Sequence, residues 1–175
     1  MQGIKILPAT KDDTGILPDF QFEAGLRFAS IGMESVANMQ APDRADFESK
    51  RKHPETALLV AKHEDTITGF IAVESQSGVG FIEEVSVAMA HAGQRIGASL
   101  ISAAEKWGLD RRLEQMYLTT FTQVPWNAPY YRRLGYQDCK ATDAPPQIAR
   151  HLKSEQDFFG STSGFERTLM VKNLT

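Results

Sequence analysis

The sequence of 175 residues predicts a mixed α/β fold, formed by one domain over residues 1–175. Two observations indicate this fold class. Apolar and polar residues alternate in several short stretches, as in half-buried strands, and apolar residues recur every three or four positions in others, as in amphipathic helices. The two kinds of stretch are interleaved in the order β-α-α-β-β-β-α-β-α-β-α-β, with no internal repeat or low-complexity linker. Such interleaving is typical of a single mixed α/β domain.

The amino-terminal part of the sequence predicts one strand and two helices. The strand is GIKILPAT, which ends at Pro8 and a polar cluster. Residues 20–39 have apolar side chains at helical spacing and are predicted to form one helix, with Gly25 and Gly32 as its weak points. A second, poorer helix is predicted within APDRADFESKRKHP, and Pro54 ends it.

Three strands and a helix are predicted in the middle of the chain. The strands are TALLVAKHED, TITGFIAVESQ and GFIEEVSVAM, and a hairpin turn at Glu64-Asp65 separates the first two. Residues 93–108 then predict a helix, because their apolar residues fall on one stripe, as in a helix that packs on a core. The residues of that stripe are Ile96, Leu100, Ile101, Ala104 and Trp107.

Three strands and two helices are predicted in the remaining part. The strand QMYLTTFT contains aromatic and β-branched residues, and WNAPYYRRLGY predicts a short helix that ends at Gly135, a typical stop residue. A strand at residues 136–140, a polar helix at residues 145–159 and the strand FERTLMVKNL complete the order.

Composition argues against several classes of partner. The formal net charge is −3, and Lys and Arg form no long basic block, so we expect no nucleic-acid partner. The single cysteine, Cys139, cannot form an internal disulfide, and the Cys and His spacing predicts no metal site. The stretch MQGIKILPATKDD lacks the apolar core of a signal peptide, and no apolar run approaches the roughly 20 residues that cross a bilayer. We therefore expect a cytoplasmic protein without a membrane partner, and a homodimer is left open.

The connection between GFIEEVSVAM and the following helix contains two glycines and an arginine. A helix start leaves several backbone N–H groups without partners and carries roughly half a positive charge. Gly93 and Gly97 would let a ligand approach this backbone closely, and Arg95 adds a full charge, so the turn is a candidate cradle for a pyrophosphate. The alternative is that the glycines only shape a tight strand-to-helix connection. The turn is neither a Walker loop nor the GxGxxG dinucleotide fingerprint.

Two motifs, in this order, give the chain its resemblance to a known family. EEVSVAMAHAGQRIGASLI has a strand, a glycine-containing turn and a helix, and YRRLGY follows it after the predicted strand QMYLTTFT. The chain thereby resembles the GNAT superfamily of acyl-CoA-dependent N-acyltransferases, whose members show Arg/Gln-x-x-Gly-x-Gly/Ala and later Tyr-x-x-x-Gly-Phe. The resemblance covers residues 56–136 well.

The resemblance implies a fold and an activity. The fold is a central, mostly antiparallel, twisted sheet of six to seven strands, flanked by helices on both faces, with strands 4 and 5 splayed. The implied activity is transfer of an acetyl group from acetyl-CoA directly to a primary amine, of a small molecule or of a peptide or protein, through a ternary complex without a metal. Two alternatives are a catalytically silent acyl-CoA-binding regulatory or sensor module, and an unrelated α/β binding domain with accidental motifs.

The resemblance also implies which residues contact acetyl-CoA. Pantetheine would pair with the strand backbone, a backbone N–H at or near Val87 would polarise the thioester carbonyl, and the turn would hold the pyrophosphate. The residues concerned are Val85, Ser86, Val87, Gly93, Gln94, Arg95, Ile96, Gly97, Ala98 and Asn127. Three departures from the family pattern are Ala92 at the opening Arg/Gln, Arg95 at the central Gly, and Val124 where many members have an Asn seven residues before the tyrosine. The nearest Asn is Asn127, so its contact with pantetheine is the weaker inference. We expect an ordinary helical backbone at Arg95.

The chemistry needs a group that removes a proton from the amine and a group that protonates the leaving thiolate. An alkylamine has a pKa near ~10.4, so a neutral amine at pH 7 costs about 4.6 kcal/mol. Glu83 and Glu84 are the candidate bases, and strand alternation predicts that only one of them faces the acceptor. Glu83 matches the catalytic Glu of polyamine-acetylating relatives and is preferred, the alternative being that both are solvated or salt-bridged. Tyr131 matches the family tyrosine that protonates the thiolate, and Cys139 is not expected to be a nucleophile.

Overall fold

The computed structural model describes residues 3–162 and 164–174, and it confirms the predicted mixed α/β fold class. The strands are β1 Lys5–Pro8, β2 Thr56–His63, β3 Thr66–Gln76, β4 Val79–Val87, β5 Gln115–Phe121, β6 Gln137–Cys139 and β7 Arg167–Asn173. The helices are α1 Leu17–Gly25, α2 Glu34–Ala37, α3 Arg44–Lys52, α4 Ile96–Asp110, α5 Ala128–Arg133 and α6 Pro146–Thr162.

The seven strands form one sheet in the order β1-β2-β3-β4-β5-β7-β6. The pairs β1–β2, β2–β3, β5–β7 and β6–β7 are antiparallel, whereas β4 and β5 are parallel. The parallel register runs from Gly80 with Met116 to Ile82 with Leu118, in the first half of β4. The predicted hairpin turn between β2 and β3 is confirmed, and Glu64 within it has a φ of 54°.

The helix predicted over residues 20–39 is broken at the two glycines that were its weak points. Helix α1 ends at Gly25, a 3₁₀ helix follows over Leu26–Ile31, and α2 comes after it. Gly32 ends the 3₁₀ helix with a φ of 77°, in the left-handed region that glycine adopts without a steric penalty. The prediction of one continuous helix is therefore wrong, because the α-helical hydrogen bonding ends at Gly25 and the backbone leaves the helical region at Gly32.

Helix α3 is better defined than its sequence predicts. Asp43 accepts a hydrogen bond from the Asp46 backbone N–H, and Asp46 accepts one from the Asp43 backbone N–H, which together form a capping box. Phe47 of this helix is buried, with its ring 5.5 Å from that of Phe70 in an edge-to-face contact. The cap and the buried ring together fix the position of this short helix.

The chain divides into two compact units. The first contains the residues up to Glu74 and then Glu83–Trp107, and the second contains Ser75–Ile82 and the residues from Gly108 onward. In the first unit an apolar cluster joins α1 and α3 to the strands, and its members are Ala9, Leu17, Phe47, Leu58, Val60, Ile67, Phe70 and Ala72. In the second unit α6 packs on strand residues through the cluster Val79, Phe81, Tyr117, Ile148, Leu152 and Leu169. The expectation of one domain over residues 1–175 stays a prediction.

Gly69 in β3 allows unusually close packing within the first unit. A Cβ atom at this position would lie 2.9 Å from the Ser86 backbone oxygen of β4, 3.0 Å from Leu100 Cδ1 and 3.2 Å from Ile96 Cγ2, both of α4. Because none of these neighbours lies on a long flexible side chain, a methyl group would push on the strand and on the start of the helix together.

Gly69→Ala is therefore expected to lower the free energy of unfolding by about 1–3 kcal/mol, the usual cost of overpacking. The matched control is Gly25→Ala, where a new Cβ meets nothing within 4 Å, and where alanine should leave the stability equal or slightly raised. Thermal or urea unfolding of the two variants measures the difference. Equal stability of Gly69→Ala and the unsubstituted protein would contradict the close packing.

Candidate active site

The first unit contains the turn between β4 and α4. Strand β4 ends at Val87, and the next backbone N–H, that of Ala88, donates to the Thr68 oxygen of β3 at 3.0 Å. A 3₁₀ turn over Met89–His91 follows, and α4 begins at Ile96. Gln94 is exposed, with its Oε1 atom 3.4 Å from His91 Nδ1.

The backbone of this turn differs from the prediction in two respects. The helix begins at Ile96 and not at residue 93, and Gly93 has a φ of 80°. The prediction of an ordinary helical backbone at Arg95 is wrong, because its φ is 63°, in the left-handed region. That conformation costs a non-glycine residue about 1–2 kcal/mol, so the surrounding structure imposes it. A sequence signal for it existed, because Arg95 stands at the position where the family pattern has glycine.

The first amides of α4 have no acceptor within the helix. The Ser99 N–H donates to the Arg95 oxygen at 3.0 Å, which is the i to i−4 bond that opens the helical ladder. The N–H groups of Ile96, Gly97 and Ala98 precede it, and a helix supplies no acceptors for these first amides. The Ile96 side chain is buried, Gly97 and Ala98 are half-buried, and Arg95 is exposed. A ligand at this turn could therefore reach the Arg95 side chain, but only the backbone of Ile96.

Glu83 and Glu84 both make polar contacts to helices of the first unit. Lys50 of α3 donates a hydrogen bond from Nζ to Glu83 Oε2 and forms an ion pair with it. The side chains are 31% exposed for Lys50 and 23% for Glu83, so the pair is partly shielded from solvent. Gln21 Nε2 of α1 lies 3.4 Å from Glu84 Oε2. The preference for Glu83 over Glu84 as the base stays a prediction. The alternative, that these glutamates form salt bridges, is met at Glu83 by its ion pair with Lys50.

The strand residues after the two glutamates alternate in burial only weakly. Val85 and Val87 are half-buried, and Ser86 is buried with 6% of its surface exposed. The Ser86 hydroxyl donates to Glu84 Oε1 at 2.8 Å, so the polar side chain of Ser86 is used within the strand. What remains for a ligand at these positions is the backbone.

The second unit contains Tyr131 in the short helix α5. The Tyr131 N–H donates to the Asn127 oxygen at 3.0 Å, and the chain leaves the helix through Gly135, whose φ is 93°. The stop predicted at Gly135 is confirmed, with α5 ending two residues earlier. The Tyr131 ring is half-buried in edge-to-face contacts with Tyr130 at 5.7 Å and with the buried Tyr136 at 5.9 Å. These contacts fix the plane of the ring.

The side-chain carbonyl of Asn127, just before α5, has no hydrogen-bond partner among the described residues. The Asn127 Nδ2 atom donates to the Trp126 oxygen at 3.2 Å, whereas Oδ1 is buried and accepts no hydrogen bond within residues 3–162 and 164–174. A buried acceptor left without a donor costs free energy, so a donor from outside the chain would be stabilising here.

Within the described residues, the Cys139 thiol and the possible metal ligands form no second candidate site. Burial raises the pKa of the Cys139 thiol, which favours the unreactive protonated form at neutral pH. Among the described residues no three His, Cys, Asp or Glu side chains come together as a metal ion would need. Within the same residues, no helix has both the length and the apolar character for crossing a membrane.

Sequence reasoning missed the two helix residues that contact the strand glutamates. Lys50 stands in the run Lys50-Arg51-Lys52, where any of the three could have been assigned to solvent, and Gln21 belongs to a segment in which only apolar spacing was considered. The one available signal was the charge of this run, because two glutamates in a mostly apolar strand need cationic partners from elsewhere in the chain.

Comparison with known proteins identifies the family. A family model described as "Acetyltransferase (GNAT) family" matches residues 26–136, which is more than half of the chain. The chain therefore belongs to the GNAT family of acetyltransferases, which confirms the predicted family and enzyme class. The alternative of an unrelated α/β domain is thereby excluded.

Solved structures show the same fold at low sequence identity. A GNAT-family acetyltransferase from Staphylococcus aureus Mu50 is 15% identical, with 99% of this chain and 100% of that chain covered and a TM-score of 0.72. The PaiA N-acetyltransferase from Thermoplasma acidophilum, solved in complex with coenzyme A, is 15% identical, with 98% and 99% covered and a TM-score of 0.70. The N-acetylglutamate synthase from Neisseria gonorrhoeae, complexed with coenzyme A and N-acetyl-glutamate, is 14% identical with a TM-score of 0.72, and 99% of this chain covers 35% of it.

Proposed function

We propose that the protein transfers an acetyl group from acetyl-CoA directly to a primary amine, of a small molecule or a peptide, in a ternary complex. The observation that carries the proposal is the turn from Gly93 to Ala98, whose amides precede the hydrogen-bond ladder of α4. The relatives support it, because the Thermoplasma acidophilum structure holds coenzyme A, and the Neisseria gonorrhoeae structure holds coenzyme A with an N-acetylated amine.

The turn is proposed to hold the pyrophosphate of acetyl-CoA. The amides of Ile96, Gly97 and Ala98 would donate to phosphate oxygens, and the helix macrodipole favours negative charge at this end. Gly93, with its φ of 80°, and Gln94 present backbone on the exposed side of the turn. The exposed Arg95 guanidinium would add a full positive charge, which strengthens binding most at low ionic strength.

Strand backbone and one amide side chain are proposed to hold the pantetheine arm. The backbone of Val85, Ser86 and Val87 would pair with its amides as a strand pairs with its neighbour. Asn127 offers its buried Oδ1, which accepts no hydrogen bond from the described residues and would accept one from a pantetheine N–H. A backbone N–H at or near Val87 would stabilise the oxyanion that forms on the thioester carbonyl.

Glu83 and Tyr131 are proposed as the groups that move protons. The Glu83 carboxylate would take a proton from the amine, directly or through a water molecule, which offsets part of the roughly 4.6 kcal/mol cost of a neutral alkylamine at pH 7. The Tyr131 hydroxyl would protonate the departing thiolate. Steady-state release of CoA thiol, measured with and without a primary amine, tests this function, and an amine-independent signal would contradict it.

Glu83→Gln is expected to lower kcat/KM by about 10²-fold near pH 7, in the range of a lost general base. The loss should shrink as the pH rises toward the pKa of the amine, ~10.4, because solution then supplies more neutral amine without help. Glu84→Gln is the matched control and should give a much smaller loss that does not depend on pH. The pH profiles of both variants measure the difference.

Two other outcomes would correct the assignment. If Glu84→Gln shows the pH-dependent loss, a bulge or irregularity in β4 exchanges the roles of the two glutamates, and the enzyme proposal stands. If neither variant loses activity, both carboxylates are structural.

A further inference from the structure

The last turn of α3 contains three consecutive basic residues with different partners. Arg51 and Lys52 both pair with Glu48 of the same helix, at 2.7 Å and 3.2 Å. The hydrogen bond from Arg51 lowers the pKa of Glu48 to about 2, so this carboxylate stays charged and occupied. Lys50 alone crosses to the sheet, where its ammonium group binds Glu83 of β4.

Burial also separates Lys50 from Lys52, the other lysine of this turn. The Lys50 side chain is 31% exposed, against 65% for Lys52. Lys50 follows Phe47 by three residues and so lies on the same side of α3 as that buried ring, which faces the apolar cluster of the first unit. Its position is thus set by the capped and anchored helix rather than by the ion pair alone.

Lys50 has the chemistry of the acceptor that Glu83 would serve. Its side chain ends in a primary alkylamine, and that amine already contacts the carboxylate proposed as the base. The same strand supplies the Val85–Val87 backbone proposed for pantetheine, only a few residues further along. We propose that the protein acetylates its own Lys50 at Nζ, an inference that rests on the proposed acetyl transfer and adds an acceptor to it.

The step balances without any further reactant. The Lys50 ammonium gives one proton to Glu83 and so to solvent, and the neutral Nζ attacks the thioester carbonyl carbon of acetyl-CoA. A C–N bond forms, the C–S bond breaks, a second proton leaves Nζ, and the thiolate is protonated to give CoA. Nothing is oxidised or reduced. The fixed placement of Nζ replaces a bimolecular encounter, which favours the reaction over that of a free amine.

Acetylation would change the local electrostatics. The product at Lys50 is an uncharged amide, which no longer pairs with Glu83 as an ammonium group does. The modification therefore ends the occupation of Glu83 by a cation of the protein itself and leaves that carboxylate to another amine.

The test is peptide mass spectrometry on the full-length protein after incubation with acetyl-CoA and no added amine. The expected result is one acetyl group at Lys50, with a first-order rate that does not change with protein concentration. Lys50→Arg keeps the positive charge and should remove the modification, whereas Lys52→Arg, the matched control, should retain it. Glu83→Gln should slow the labelling of Lys50 by about tenfold or more.

Several outcomes overturn the proposal. Simple chemical acetylation by acetyl-CoA would label the exposed Lys52 and Lys153, which are 65% and 75% exposed, faster than Lys50 and independently of Glu83. A rate that rises with protein concentration would show transfer between molecules. Acetyl-CoA binding and amine-dependent CoA release are measured on the same preparation. If both are positive and Lys50 stays unmodified, only this inference fails, and if both are negative the proposed function fails with it.

Discussion

Gly97→Glu is expected to abolish the rise in melting temperature that acetyl-CoA gives the protein. A ligand that binds only the folded state at 100 times its Kd stabilises it by about 2.7 kcal/mol, which is a readily measured shift. Gly97 is the second residue of α4 and lies among the amides proposed to hold the pyrophosphate. A glutamate there would place a bulky carboxylate against the phosphates, so both space and charge oppose binding.

The control for this variant places the same charge elsewhere on the same helix. Ser102 is exposed, and Ser102→Glu puts a carboxylate beyond the first turn of α4, where it should leave the acetyl-CoA shift unchanged. Without ligand, Gly97→Glu should still unfold cooperatively. A normal acetyl-CoA shift in Gly97→Glu would show that the phosphates bind elsewhere.

Tyr131→Phe is expected to lower kcat by about 10²-fold or more while the affinity for acetyl-CoA changes little. The substitution keeps the ring, and with it the edge-to-face contacts to Tyr130 and Tyr136, so the loss would report the hydroxyl alone. Turnover is measured with a primary amine, and affinity by the thermal shift with acetyl-CoA.

Tyr130→Phe is the matched control for Tyr131→Phe. Tyr130 lies beside Tyr131 in α5 and has the Arg133 guanidinium 5.6 Å from its ring centroid, a contact that phenylalanine preserves. This variant should keep normal turnover. Normal turnover of Tyr131→Phe over the whole pH range would exclude the hydroxyl as the acid.

Local sequence patterns were sufficient for the order of the seven strands, but not for the break of the first predicted helix into α1, a 3₁₀ helix and α2. The strand β5 came from the β-rich run QMYLTTFT, and the end of α5 from Gly135, because each signal acts within a few residues. The start of α4 was predicted three residues too early, because the glycine at position 93 indicates a turn but not the residue at which the helix begins. The left-handed φ of Arg95 is imposed by the surrounding structure and contradicts the preference of an arginine.

The candidate site was predictable where it consists of motif residues and not where it consists of long-range pairs. Tyr131 and the turn at Gly93 follow from motifs that are continuous in sequence. Lys50 and Glu83 are 33 residues apart, and no local pattern indicates which of three neighbouring cations reaches the strand. Burial of one oxygen of Asn127 is likewise a property of packing, because the residue stands outside the position that the family motif uses.

The most direct test of the account uses acetyl-CoA with a deuterium-labelled acetyl group and a panel of primary amines. Released CoA is measured as free thiol, and mass spectrometry locates the labelled acetyl group. We expect at least one amine to yield equal amounts of CoA and of product acetylated on the amine nitrogen. If acetyl-CoA raises the melting temperature but no amine yields either product, the protein is a silent acyl-CoA-binding module and the proposed transfer is wrong.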